Sequence, residues 1–338
     1  MINLIGDNTV RTFTGLEYLK IDIANAFGLD KETWDKRLTW FELNKDNLHD
    51  LIEDAAESLL FLKGITAYEK TMQGIPSGHC MFMDATGSGL QIMAALSGCH
   101  QTARHVNLTN TGKREDVYQS VADSMNMLAH LPLSEMVTRD DIKKPLMTHF
   151  YNKMNQDSLS GNQQEAFYSV IADSFTGAQA FMEVINRRWN PDALSHTWHL
   201  PDGHVAHVKV TEMVSARIEV DELEHTTFTY QFEANQPSDV SSSLAPNVIH
   251  SIDGYIVREM VLRAHTQGFE LAHVHDAFCS HPNHMNKVRQ NYIDILAEIA
   301  QMDLLQSIVN EISGNDDVLE KYSNNLHEEI LNSEYALS

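Results

Sequence analysis

Two short apolar runs constrain this chain more than anything else in its sequence. HCMFMD (79–84) reads as a buried strand ending at a carboxylate. FELAHVHDAFCS (269–280) reads as two short strands meeting at His275–Asp276. Most of the remaining sequence has helical spacing. The pattern therefore predicts an α+β, mostly helical fold whose small sheet joins segments far apart in the chain.

Helical signals fill the first 75 residues. Thr14 and Glu17 have capping-box spacing, and Leu16, Leu19, Ile23 and Phe27 follow at helical intervals until Gly28. Further helices are expected over Thr33–Leu43 and Leu48–Phe61, and ATGSGLQIMAAL (85–96) reads as a small-residue turn opening into another. Residues 115–190 read as helical. A β-rich insertion follows, with Ala206, Val208 and Val210 on one face of HVAHVKV and Phe228, Tyr230 and Phe232 on one face of TFTYQF. NQPSDVSSS (235–243) is a polar linker, and Val248–Gln267 predicts a helix. Near the end, Val288, Tyr292, Ile295, Leu296 and Ile299 share one helical face.

Asp84 and Asp276 stand at a strand end and a strand bend, each followed by small residues. Taken singly, such an aspartate is usually a turn or capping residue. A sheet can bring strand ends together, however, and two carboxylates so placed can hold a pair of Mg²⁺ ions about 3.5–4 Å apart. That arrangement activates a 3′-hydroxyl and steadies a leaving pyrophosphate. A third element points the same way. Arg139, Lys143, Met147 and Tyr151 recur every four residues, which stacks them along one helix face. Such a face offers two cations for a triphosphate and an aromatic ring for a base or sugar; alone, it would read as a solvated amphipathic helix. His273, His281 and His284 lie near Asp276, but no paired ligand spacing supports a zinc site.

In this order, the three segments resemble the A, B and C motifs of the single-subunit RNA polymerase family of phages and mitochondria. MDATGSGLQ resembles its Asp-Gly-Ser-x-Ser-Gly-Ile-Gln signature, RDDIKKPLMTHFY its Arg-x₃-Lys-x₆₋₇-Tyr-Gly helix, and HVHDAF its His-Asp-Ser-Phe turn. EYLKIDIANAFGLDK, RHVNL, WHLPDG and LAPNVIHSIDG have counterparts in family order, as does the terminal LNSEYALS. The resemblance implies template-directed RNA synthesis from rNTPs on a right-hand polymerase fold, with an antiparallel palm sheet and with the thumb and N-terminal region reduced or absent. It implies that Asp84 and Asp276 ligate two Mg²⁺ ions, with the Ala85 carbonyl as an added ligand. Lys143 would contact the triphosphate and protonate the leaving pyrophosphate, and Arg139 would bind phosphate. Met147 lies between them and Tyr151, which would close over the incoming nucleotide. His250 would sit near the ribose 2′-hydroxyl, and His275 would support the metal turn. Related DNA polymerases carry a Glu where this chain has Gly89; its absence leaves room for a ribose.

Three departures qualify the resemblance. Asn152 replaces the family's Gly after the Tyr. Pro145 lies inside the proposed helix, so either the helix is kinked or it starts near Lys144 and Arg139 lies in a preceding turn. No Thr/Asp-x-x-Gly-Arg segment precedes Asp84. A net charge of −23 is also unlike a simple nucleic-acid binder. Either basic residues concentrate in one cleft, or another chain supplies basic surface. Together these predict a split enzyme in which a second polypeptide provides the missing segment. That resembles the two-subunit RNA polymerase of N-four-like phages, with this chain as the larger catalytic subunit. The template would be single-stranded or pre-opened DNA, reached alone or through a recruiting accessory protein.

The expected division is a palm- or thumb-side helical segment at 1–75, palm at 76–130, fingers at 131–245 with an inserted hairpin near 204–232, palm again at 246–300, and a helical foot at 301–338. Primase-like synthesis of short RNA, a non-catalytic assembly subunit and a metal hydrolase are the competing readings. Three scattered cysteines without a CxxC pair suggest a reducing compartment, and with neither signal peptide nor membrane span the expected address is the cytoplasm, that of the host cell if phage-encoded.

Overall fold

A computed structural model describes residues 10–128, 135–150, 158–238, 244–315 and 318–338. Helix α1 (Gly15–Ala24) begins at the expected capping box: the Thr14 hydroxyl accepts from the Glu17 amide, and the Glu17 carboxylate accepts from the Thr14 amide at 2.7 Å. A π-turn (Asn25–Leu29) follows, closed by Gly28 at φ 120°, and then α2 (Trp34–Asn44). The helix expected at 48–61 does not form as one piece. Leu48–Leu51 is a single 3₁₀ turn, and α3 runs from Ser58 to Met72. The amides of Ala56 and Glu57 donate to the Phe27 and Ala26 carbonyls of the π-turn, so they are spent outside any helix of their own. These helices share a small core of Leu19, Ile23, Phe41, Phe61 and Ile65.

The larger core surrounds α4 (Ser88–Ser97), whose residues from Leu90 onward are all buried. It packs against α9 (Thr176–Asn186), α10 (Leu244–Thr266) and α11 (Met285–Gln301). The helical face predicted near the end is buried throughout α11: Val288, Tyr292, Ile295, Leu296 and Ile299 are all 1% exposed or less. Buried Gln91 ties three parts of this core together. Its amide donates to the Val106 and Ala336 carbonyls at 2.9 and 3.0 Å, and its oxygen accepts from the Tyr292 hydroxyl at 2.7 Å. Between α4 and α9 lie α5 (His100–His105), α6 (Val117–Leu128), α7 (Arg139–His149) and α8 (Gly161–Ser174).

The sheet is the small, long-range assembly the sequence predicts. Strand β1 (Met81–Asp84) pairs antiparallel with the later strand of the His275–Asp276 bend (Ala277–Ser280), which pairs in turn with Ala272–Val274. The β-rich insertion is two hairpins. Strands β2 (Ser195–His199) and β3 (Val205–Lys209) form the first, β4 (Thr211–Val220) and β5 (Thr226–Asn235) the second. The single hairpin expected near 204–232 is thus divided: Val208 and Val210 are buried, but Phe228, Tyr230 and Phe232 share a face that points to solvent. In chain order the strands flanking the bend are β6 (Ala272–Val274) and β7 (Ala277–Ser280), and α12 (Leu304–Ser313) and α13 (Leu326–Ile330) complete the helices. Among the described residues no helix is long and apolar enough to cross a membrane. Cys80, Cys99 and Cys279 are free thiols, the first exposed and the others buried.

Candidate active site

Strand alternation places Met81 and Met83 in the core and turns Phe82 and Asp84 the other way. In the β1–β7 register Asp84 stands opposite Ala277, which puts Asp276 of the β6–β7 turn beside Ala85. The Ala85 amide donates to the Asp276 carbonyl at 3.3 Å. His275 makes the turn at φ 53°. Both carboxylates face one cavity of about 450 Å³. The last residues of the chain brace it: Leu337 bridges Ala85, and the Ser338 amide donates to the Asp84 carbonyl at 3.1 Å.

Gly87, in the left-handed region at φ 74°, turns the chain out of β1 so that α4 can start at once. That turn lays Ala85, Ser88 and Gly89 along the cavity floor. The Ala85 carbonyl accepts from the Gly87 amide at 2.9 Å and keeps a second lone pair.

Helix α7 forms the facing wall with Arg139, Lys143 and Met147. Of the two arrangements open for Pro145, the structure has a helix that begins at Arg139 and contains the proline. A capping box between Thr138 and Asp141 starts it, and Pro145, lacking an N–H, leaves the Asp141 carbonyl without a helical donor. Arg139 is held in place, its Nε donating to Asp116 Oδ2 at 2.7 Å and its guanidinium lying over the Tyr118 ring. Burial alone would raise the Asp116 carboxyl, but the hydrogen bond and charge of Arg139 outweigh it and hold it below its ordinary value. Lys143 makes no ion pair with the described residues. Tyr151 and Asn152 lie outside the described residues.

The third wall is α10, which contributes Ile249, His250 and Asp253. Asp253 was not singled out from the sequence, although it stands three residues after His250, the spacing that puts two side chains on one helix face. Lys31 and Arg114 also line the cavity, and nothing in their local sequence marked them. Burial pushes the Asp84 carboxyl up, and the neighbouring Asp276 charge adds to the shift, against Lys31, the Ala85 amide and Arg114. Asp253 is raised for the same two reasons, despite His250 and a hydrogen bond from Ser88. The cavity therefore gathers four carboxylates and four Lys or Arg cations in a chain of net charge −23. Its carboxylates split into two kinds. Asp116 is neutralised by Arg139, while Asp84, Asp253 and Asp276 lie together with no Lys or Arg ion pair among the described residues.

Carboxylates clustered in one cavity, with no Lys or Arg partner among the described residues and with Lys143 on the same lining, have the chemistry to take a cation together with a polyphosphate. Sites that transfer phosphoryl or nucleotidyl groups use the same chemistry. Comparison with known proteins gives the family. The model of the family described as DNA-dependent RNA polymerase matches residues 11–164 and 198–336, and the chain belongs to that family. A Neurospora crassa protein described as a probable DNA-directed RNA polymerase is 34% identical over 187 residues, covering 48% of this chain and 19% of its own. The DNA-directed RNA polymerase of Pseudomonas phage phiKMV is 23% identical across 85% of this chain and 43% of its own. DNA-directed RNA polymerase 2, chloroplastic/mitochondrial, of Arabidopsis thaliana is 23% identical across 87% of this chain and 35% of its own. The chain thus spans less than half the length of these relatives.

Proposed function

We propose that this chain carries the nucleotidyl-transfer site of a DNA-directed RNA polymerase of the single-subunit type, extending RNA with rNTPs on a DNA template. The observation that supports it most is the meeting of Asp84 and Asp276, from distant segments, on one cavity wall opposite Lys143. In this reading β1, β6, β7 and α4 belong to the palm, α6–α9 and the hairpins to the fingers, and the C-terminal residues are the foot that braces Asp84.

Asp84 and Asp276, with the free lone pair of the Ala85 carbonyl, would hold two Mg²⁺ ions. The donor set fits, because burial and mutual repulsion leave surplus negative charge that a cation would relieve. Bound there, the ions supply activation of the attacking 3′-hydroxyl and charge neutralisation at the leaving pyrophosphate. The remaining work falls to side chains. Lys143 binds the triphosphate and protonates the departing pyrophosphate. Arg139, shared with Asp116, orients the outer phosphates. Met147 and Tyr151 cover base and sugar, Gly89 leaves space for the 2′-hydroxyl, and His250 hydrogen-bonds it. His275 holds the turn that presents Asp276, and Asp253 fixes Ser88 beside it.

The cavity is locally balanced, so the basic path for template and product comes from polypeptide outside these 338 residues. In the split-enzyme reading that is a second subunit, and the template is single-stranded or pre-opened by a recruiting protein. RNA-primed extension on a single-stranded DNA template, with the chain purified together with its co-purifying polypeptides, tests the reading. Mg²⁺-dependent incorporation with rNTPs preferred over dNTPs is expected, and Asp276→Asn should abolish it. A clear dNTP preference, or full activity in that variant, overturns it; products that stay short would mark a primase.

A further inference from the structure

Two thiols meet on one face of the β1–β7 pair. Burial alternates from His79 to Asp84, so Cys80, Phe82 and Asp84 share a side of the chain. The register sets Phe82 opposite Cys279, which puts Cys279 on that same side, diagonally across from Cys80. Cys80 is exposed and Cys279 is buried. The Cys80 thiol donates weakly to the Gly78 carbonyl at 3.7 Å, and Lys63 Nζ donates to the Cys80 carbonyl at 2.8 Å, which keeps a cation beside the pair. Burial pushes the Cys279 thiol up to about 11; the neighbouring Cys80 adds to the rise and Lys63 opposes it. Cys99 is set apart, buried against the Thr102 and Thr176 hydroxyls.

We infer that Cys80 and Cys279 form a reversible thiol-oxidation site whose substrate is a small-molecule disulfide. The exposed Cys80, as thiolate, attacks one sulfur of the reagent. A mixed disulfide forms, the reagent's S–S bond breaks, and the departing thiolate takes up a proton to replace the one Cys80 gave to solvent. Cys279, still a thiol, then loses its proton and attacks the Cys80 sulfur, expelling the second small thiol in the same way. Two protein thiols are oxidised and one disulfide is reduced to two thiols. Diagonal neighbours on an antiparallel pair stand farther apart than a relaxed disulfide spans, so the bridge pulls β1 against β7. Asp84 ends the first of these strands and Asp276 immediately precedes the second, so the shift reaches both. Bridges that distort their surroundings are the readily reduced, regulatory kind, the kind a reducing compartment tolerates. Neither cysteine lines the cavity, so the bridge stands apart from the catalytic reading; only its effect on nucleotide incorporation rests on that reading.

The test treats the whole purified chain, with its co-purifying polypeptides, with oxidised glutathione and maps disulfides by peptide mass spectrometry. A Cys80–Cys279 bridge is expected, with Cys99 left reduced. Cys279→Ser should stop at glutathione on Cys80, and Cys80→Ser should take up none at Cys279. In the parent, Mg²⁺-dependent incorporation should fall roughly tenfold on oxidation and return with dithiothreitol, while Cys80→Ser keeps its rate throughout. A parent that stays reduced, stops at the mixed disulfide or bridges through Cys99 overturns the site. A bridged parent with unchanged incorporation overturns its coupling to the aspartates. A chain without incorporation even when reduced refutes the catalytic reading instead, and the mass map still decides whether the site exists.

Discussion

The His275–Asp276 turn and the tip of the β4–β5 hairpin are built alike. Each joins two antiparallel strands, each contains a histidine in the left-handed region (His275 at φ 53°, His225 at φ 60°), and each presents carboxylates. Their surroundings separate them. The first sits beside Asp84 in a cavity closed by α4, α7 and α10, where burial pushes the neighbouring carboxyls up. The second stands in solvent, where His225 satisfies its own acids. Partial burial and the lack of a Lys or Arg partner among the described residues separate a candidate reactive site from a solvated acidic turn.

The comparison can be broken most directly by asparagine substitution. Asp276→Asn should lower Mg²⁺-dependent nucleotide incorporation more than about a hundredfold, because it removes a proposed metal ligand. Asp221→Asn at the hairpin tip should stay within about twofold of the parent. Equal losses in steady-state rates would end the distinction.

Stability gives the next contrast. Phe278 of β7 is fully buried, and Phe278→Ala should cost about 3–5 kcal/mol in urea titration. Phe228→Ala, on the exposed strip, should cost no more than about 0.5 kcal/mol. A large cost at Phe228 would mean that the hairpin face is covered within this chain.

A smaller effect is expected from the charge at Asp84. Its native carboxyl titrates above the unfolded value of about 3.9. Below that value the group is protonated in both states and costs nothing. As pH rises from the unfolded value through the native one, the folded state holds its proton against ionisation, and stability is lost. Metal-free Asp84→Asn should therefore melt higher than the parent at neutral pH, with the difference vanishing in acid. Added Mg²⁺ should raise the parent's melting temperature and leave the variant's nearly unchanged. The reverse order in differential scanning fluorimetry would show that Asp84 is already compensated.

A last, modest effect is expected at the cap of α7. Thr138→Ala removes half of the box that starts the helix and should cost about 1 kcal/mol by the same titration. Because Arg139 is the first residue of that helix, a loosened cap should also weaken its hold on Asp116.

Much of this site was legible in the sequence because alternation and helical spacing are local signals. HCMFMD and HVHDAF announced strands ending at aspartates, and the four-residue stripe announced the face of α7; its Arg139, Lys143 and Met147 do reach one cavity. Asp253 needed the packing of α10 against α4, the helix that follows β1, since an aspartate inside a helix looks like any solvated acid until its surroundings are known. The broken helix at 48–61 failed for a similar reason: its apolar spacing was adequate, but the amides of Ala56 and Glu57 had better acceptors in a neighbouring turn. The aromatic alternation of TFTYQF gave the strand and its shared aromatic face, and only the structure shows that face to be exposed.

The sequence by itself determined the elements, because capping, alternation and helical spacing act within a few residues. Only the tertiary structure decided which acids lose water together, which one takes Arg139 as its partner and which apolar face stays bare. Burial and charge pairing depend on residues from distant segments, and no local pattern encodes that distance.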